Sequence, residues 1–233
     1  MNKAINNKDR LIVALDVPTV AAAKKMVETL GDAVSFYKIG LELFMSGEYF
    51  ELLDWLKTQN KKIFVDLKFF DVPATVGRAI KQLNGLGVTF ATIHGNDSIM
   101  RSAAENKGDV QVLAVTVLTS LDRGDLDDLG FDCEVDKLVL SRAKRAVELG
   151  CDGVVASGLE APVMRENLGH NFMIVSPGIR PVDNDDDQKR VVTVEQAFKN
   201  GADYIVIGRP IRDAADPKAA AQAVQEQITN TLN

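Results

Sequence analysis

Cysteine is scarce. The 233 residues contain only Cys133 and Cys151, with no CxxC pair. That excludes a disulfide scaffold and argues against a zinc module, which needs clustered thiolates. Histidine is as rare, with His94 and His170 alone, so no His-rich metal centre is expected. No apolar run approaches the ~18 residues of a membrane-spanning helix, and the first ten residues lack the hydrophobic segment of a secretory signal. A cytoplasmic protein with no membrane partner is the expectation. A basic excess is missing too: 27 Lys and Arg stand against 33 Asp and Glu, a net charge of −6. A nucleic-acid partner would demand a basic face, so none is expected. The chain also lacks GxSxG, HExxH and GxxxxGK[ST], which removes elbow hydrolases, zincins and Walker-type nucleotidases.

What the chain has is one repeated unit. Short β-branched or aliphatic runs stand at 11–17, 35–40, 62–68, 88–94, 111–118, 153–157, 172–176 and 204–208. Helical spacing fills the intervals. Ala23, Met26, Val27 and Leu30 form one apolar stripe, Tyr49, Leu52, Leu53 and Leu56 a second, and Ala219, Ala220, Ala223 and Val224 mark the last helix. Gly31 and Gly87 punctuate helix ends, Pro73 and Pro217 helix starts. Strands alternating with helices imply βαβ units and a parallel sheet. Eight of them in this length predict a single-domain α/β protein, a (β/α)8 TIM barrel over residues 1–233. An open doubly wound sheet is the alternative, but Asp16-Val17-Pro18-Thr19 replaces the GxGxxG turn after the first strand. Two long polar loops, 120–134 and 180–193, have the character of binding loops or lids.

Barrel enzymes build their sites at the C-terminal ends of the strands. Here those ends carry Asp16, Lys38, Asp66 with Lys68, and His94. Strand parity puts Phe64, Asp66 and Lys68 on the interior face, Asp16 with Ile12 and Ala14, and Lys38 with Phe36. Charges there must pair or serve a ligand, because burying one alone costs several kcal/mol. Lys38, Asp66 and Lys68 are expected in one cluster, which Asp71 could join. Alternating lysines and aspartates keep the ammoniums protonated, which suits Lys68 as a proton donor better than as a Schiff-base nucleophile. A purely structural ion-pair network at the barrel mouth is the competing account.

A second group lies late in the chain. Ser176-Pro177-Gly178-Ile179-Arg180 follows the seventh strand and Ile207-Gly208-Arg209-Pro210 the eighth. Loops there often bind phosphate through backbone N–H groups, with Arg180 or Arg209 as a clamp. Tight-turn glycines with a surface arginine would look the same. His94 reads as a hydrogen-bonded mouth residue rather than a base, and both cysteines as incidental. Asp183, Asp185, Asp186 and Asp187 read as a solvated face, Gln188 as an amide within reach of a ligand. Trp55 fits the core or a subunit contact.

Asp66-Leu67-Lys68-Phe69-Phe70-Asp71-Val72-Pro73-Ala74-Thr75 resembles the DxKxxD[IV]PxT signature of the orotidine 5′-phosphate decarboxylase family, bacterial type. The resemblance covers essentially the whole chain. Ala14-Leu15-Asp16, Lys38, His94, Leu118-Thr119-Ser120, the two late motifs and Asp187-Gln188-Lys189-Arg190 extend it. It implies decarboxylation of orotidine 5′-monophosphate to uridine 5′-monophosphate in pyrimidine synthesis, without metal or cofactor. By the same resemblance Lys68 delivers a proton to C6, flanked by Asp66 and Asp71, with Lys38 completing the network. Asp16 and Lys38 would hold ribose hydroxyls, and Thr119 and Ser120 would lie near the pyrimidine. Pro177 would line the site, Gln188 would bridge base and phosphate with Arg180 nearby, and Gly208 and Arg209 would bind phosphate. Asp71 and Thr75 would reach into a partner's site in a homodimer. Two rivals remain: a magnesium-dependent sugar-phosphate decarboxylase or aldolase sharing DxKxxD, and a non-catalytic pyrimidine-nucleotide sensor.

Overall fold

In the computed structural model, which describes residues 5–180 and 191–232, eight parallel strands close into a barrel in the order β1 to β8, with β8 paired to β1. The strands are β1 Leu11–Ala14, β2 Phe36–Gly40, β3 Lys62–Phe69, β4 Val88–Ile93, β5 Gln111–Val115, β6 Gly153–Val155, β7 Met173–Ser176 and β8 Tyr204–Ile207. Each falls inside or within one residue of an expected run. Around them lie α1 Val20–Leu30, α2 Leu41–Met45, α3 Tyr49–Thr58, α4 Pro73–Gln82, α5 Asp97–Asn106, α6 Arg123–Asp128, α7 Val135–Glu148, α8 Ala161–Leu168, α9 Val194–Lys199, α10 Arg209–Arg212 and α11 Pro217–Leu232. No described helix is long and apolar enough to cross a membrane.

Local chemistry explains the punctuation. The Thr19 hydroxyl accepts from the Ala22 N–H and starts α1, and Gly31, at φ +55°, ends it. Pro73 occupies the first turn of α4, where its missing N–H is harmless. The loop expected at 120–134 is not wholly irregular: Asp122 and Asp125 form a reciprocal capping box that nucleates α6. α11 contains Ala219, Ala220, Ala223 and Val224 as expected, and its buried face is Ala221, Val224 and Ile228, while Ala219 and Ala223 are exposed. An alanine-rich run carries too little hydrophobic contrast to fix its phase, and the larger Val224 and Ile228 decide it.

Parity sorts the barrel into two cores. Leu11, Val13, Tyr37, Ile39, Ile63 and Val65 pack outward under the helices. Ile12, Ala14, Phe36, Phe64, Phe90, Leu113, Val175, Tyr204 and Val206 fill the interior. Four rings close its floor: Phe90 lies 5.1 Å from Phe36, 5.1 Å from Tyr204 and 5.8 Å from Phe64, centroid to centroid. Phe90→Ala is expected to cost about 3–5 kcal/mol by leaving a cavity there. Urea unfolding checks this, and a loss below about 1 kcal/mol would show that the floor does not bear on stability.

Candidate active site

The interior changes character above the aromatic floor. Three strands deliver charge to the same level, because the register sets Ala14 beside Lys38 and Gly40 beside Asp66. Lys38 Nζ lies 2.9 Å from Asp16 Oδ1 and 3.4 Å from Asp66 Oδ2, and Lys68 Nζ lies 3.0 Å from Asp66 Oδ1. The result is a continuous chain, Asp16–Lys38–Asp66–Lys68. Burial pushes the Asp66 carboxyl up, but Lys38 and Lys68, with hydrogen bonds from Lys68 and Thr92, outweigh it and hold the group below the usual carboxylate range. Burial likewise opposes charge on Lys38, yet Asp66 and Asp16 outweigh it and raise its pKa above that of an ordinary lysine. At neutral pH Asp66 is an anion and Lys38 a cation.

Gly40 makes room for this array. A Cβ there would meet Lys38 Nζ at 3.4 Å and Asp16 Oδ1 at 3.6 Å. β3 itself is irregular. Val65 pairs with Ala91 and Phe69 with Ile93, so four steps on β3 face two on β4, and Asp66, Leu67 and Lys68 bulge opposite Thr92. Lys68 adopts φ +46°, a left-handed conformation that costs a non-glycine residue about 1–2 kcal/mol.

Two joined cavities open over the array. One, of about 210 Å³, is lined by Lys38, Phe64, Asp66 and Lys68, by Thr119, Ser120 and Pro177, and by an apolar wall that includes Val115, Val155 and Val206. The other, of about 360 Å³, shares Lys38, Pro177 and Val206 and adds Asp16, Gly178, Arg180, Gly208, Arg209 and Arg212. At the base of the latter, Arg180 N–H donates to the Val192 carbonyl and Val192 N–H to that of Gly178, tying the segment after β7 to the one before α9. A larger groove of about 630 Å³ lies at the opposite end of the barrel, among Lys8, Asp32 and Gln225, far from the strand-end charges.

The matching protein-family model is that of the "Orotidine 5'-phosphate decarboxylase / HUMPS family", which covers residues 9–224. The chain belongs to this family. It is 69% identical over 233 residues to orotidine 5′-phosphate decarboxylase of Methylococcus capsulatus, covering 99% of this chain and 96% of that protein. It is 53% identical over 231 residues to the enzyme of the same name from Stenotrophomonas maltophilia, covering 98% and 96%. Among solved structures, orotidine 5′-phosphate decarboxylase from Lactobacillus acidophilus superposes with a TM-score of 0.83 at 37% identity, over 94% of this chain and 99% of that one.

Set against the orotidine 5′-phosphate decarboxylase pattern, the residues divide as follows. Asp16, Lys38, Asp66, Lys68, Thr119, Ser120, Pro177, Arg180, Gly208 and Arg209 all line one of the two cavities. Asp71 and Thr75 do not join them. Asp71 is exposed, accepts from the Val72 N–H and forms no ion pair with a described residue, while Thr75 Oγ1 accepts from Arg78. The lysine–aspartate array within one chain therefore ends with Asp16 rather than Asp71. Gln188, with residues 181–190, lies outside the described residues.

His94 is held below the ordinary imidazole range by burial and then by Arg142 and Lys68, and is neutral at pH 7. Its ring packs edge-on against Phe70 at 5.6 Å. Cys151 is buried, which pushes its thiol up to about 12, and Trp55 packs against the core with the Lys24 ammonium over its ring.

Two contributors were missed from the sequence. Arg212 donates to the Asp16 carbonyl at 2.5 Å and pairs with Asp213, locking β1 to the turn after β8. Thr92 is fully buried between Asp66 and Lys68. The available signal was parity: Thr92 follows Phe90 by two on an interior face, as His94 does.

Proposed function

We propose that this protein, a carboxy-lyase of the family, converts orotidine 5′-monophosphate to uridine 5′-monophosphate in pyrimidine synthesis, with no metal or cofactor. The observation that carries the reading is the Asp16–Lys38–Asp66–Lys68 chain at the foot of a pocket that is apolar on one wall and arginine-bearing at its outer end. Such a pocket suits a substrate with a planar ring at one end and a phosphate at the other.

The chemistry follows from charge. Cleavage of the bond between C6 and its carboxylate releases carbon dioxide and leaves the electron pair in an sp2 orbital on C6. No adjacent π system delocalises it. The site must offer a preorganised cation at that carbon and then a proton. Lys68 supplies both: its ammonium is fixed on Asp66 at 3.0 Å and transfers a proton to C6 as the carboxylate departs. Asp66, anionic and buried, faces the departing carboxylate, and the apolar wall strengthens every charge interaction by excluding water. Asp16 and Lys38 bind the ribose hydroxyls, Thr119 and Ser120 the pyrimidine. Gly208, Arg209 and Arg180 take the phosphate, remote from the reacting carbon, with Gln188 bridging base and phosphate. That remote binding energy holds the reacting carbon on Lys68.

The working unit in this proposal is a homodimer. Asp71 and Thr75 lie on the outer surface beside Phe70 and Val72, which are 70% and 62% exposed. Leu41, Met45 and Phe50 on α2 and α3 add further exposed apolar surface. Exposed apolar side chains of this size suit burial against a second copy. A second copy docked there would receive Asp71 near its Lys68 and extend the alternating array by one carboxylate.

The deciding experiment follows the ultraviolet absorbance of orotidine 5′-monophosphate with purified protein in excess chelator. Loss of the orotate band at an undiminished rate is expected. No loss would overturn the assignment, and activity only after magnesium is restored would favour a metal-dependent sugar-phosphate enzyme.

A further inference from the structure

We propose that Thr92 is a positioning residue for this reaction, its hydroxyl holding Lys68 and Asp66 in the bulged geometry that aims the ammonium at the substrate. The inference rests on the functional reading above and adds a residue outside both cavities.

Three observations meet at this side chain. Thr92 is fully buried and lines neither cavity, so substrate does not touch it. Its hydroxyl is used in both senses: it accepts from the Lys68 backbone N–H at 3.0 Å and donates to Asp66 Oδ1 at 2.9 Å. The residue opposite it in the ladder is displaced, because β3 spends four steps where β4 spends two.

In a regular ladder the Lys68 N–H would face β2, as the Lys62 N–H does towards the Ser35 carbonyl, and β2 has already ended at Gly40. In the bulge it meets β4 instead, where an N–H left unpaired at this depth would disfavour the bulged conformation. Thr92 supplies the acceptor and so sustains φ +46° at Lys68. The same oxygen carries one proton, and that proton goes to Asp66. The carboxylate is therefore held from one side by Thr92 and from the others by Lys38 and Lys68. One hydroxyl fixes both the backbone that aims the ammonium and the anion that orients it. The β-branched shape limits Thr92 to few rotamers, which makes the bridge stiff. Valine keeps that shape and loses only the hydroxyl.

The test compares Thr92→Val, Thr92→Ala and Thr92→Ser. The two variants without a hydroxyl are expected to lower kcat by about 10- to 100-fold while KM stays within about threefold, since the bonds lost act on Lys68 and Asp66 and not on binding. Affinity for uridine 5′-monophosphate should likewise hold. Thr92→Ser restores the donor and acceptor and is expected to recover most of kcat. A wild-type kcat in Thr92→Val, a serine variant as slow as valine, or a rise in KM that accounts for the whole loss would each overturn the proposal. Failure of both hydroxyl-free variants to fold would do the same, by making Thr92 structural. Wild-type protein that leaves orotidine 5′-monophosphate unchanged would instead sink the functional reading. In that event a crystal structure of Thr92→Val, or of Thr92→Ala, decides the positioning role alone. Lys68 should leave the left-handed region, and retention of φ near +46° would overturn it.

Discussion

Lys68→Ala should reduce turnover by at least about 10⁴-fold, because it removes both the cation at C6 and the proton that replaces carbon dioxide. Binding should survive. The arginines, Gly208 and the ribose partners remain, so affinity for uridine 5′-monophosphate is expected to stay within about tenfold of wild type. The fold should survive as well. Asp66 keeps Lys38 at 3.4 Å and the Thr92 hydroxyl at 2.9 Å, so its buried charge retains two partners. Lys68 is about a third exposed, which limits what its ion pair adds to stability. Stopped assays over long times, with nucleotide titration on the same preparation, separate these effects. Turnover near normal would remove Lys68 from the mechanism.

Asp71→Ala should be nearly as damaging in a pure preparation, by about 10²–10³-fold, yet partly cured by mixing. If Asp71 serves the partner's Lys68, a hybrid of Asp71→Ala and Lys68→Ala chains has one site with neither residue and one with both. Random exchange at equal concentrations makes half the dimers hybrids, so the mixture should recover about a quarter of wild-type activity from two nearly inactive parents. Were Asp71 to act only within its own chain, every site in every dimer would lack something, and mixing would do nothing. A mixture no more active than its components would therefore remove the exchange of Asp71 between subunits.

The barrel and most of its mouth were legible because both depend on short-range pattern. Period-two alternation separates Ile63 and Val65 from Phe64 and Asp66 without any knowledge of the neighbouring strands. Alternation of strand and helix then fixes the order in which Asp16, Lys38, Asp66 and Lys68 come together. The bulge in β3 was not legible, because it is a mismatch in length between two paired strands and neither carries its mark. Thr92 went unnoticed for the same reason: a threonine in a strand is ordinary until its opposite number is displaced. Arg212 was hidden by distance along the chain, since its acceptor is the carbonyl of Asp16. Asp71 is a different case. Its spacing from Asp66 suggests one cluster, but the chain turns into α4 immediately after it and carries the carboxylate outwards.

The aromatic floor has a consequence for traffic. Phe36, Phe64, Phe90 and Tyr204 fill the barrel directly beneath the charged array, so among the described residues the interior opens only at the strand ends above it. Whatever reaches Lys68 enters and leaves on the strand-end side. In the proposed reaction, carbon dioxide released at the foot of such a well would lie beneath the nucleotide that produced it, with no drain below. The order in which two products share a single doorway is thus built into a plug of four rings that take no part in the chemistry.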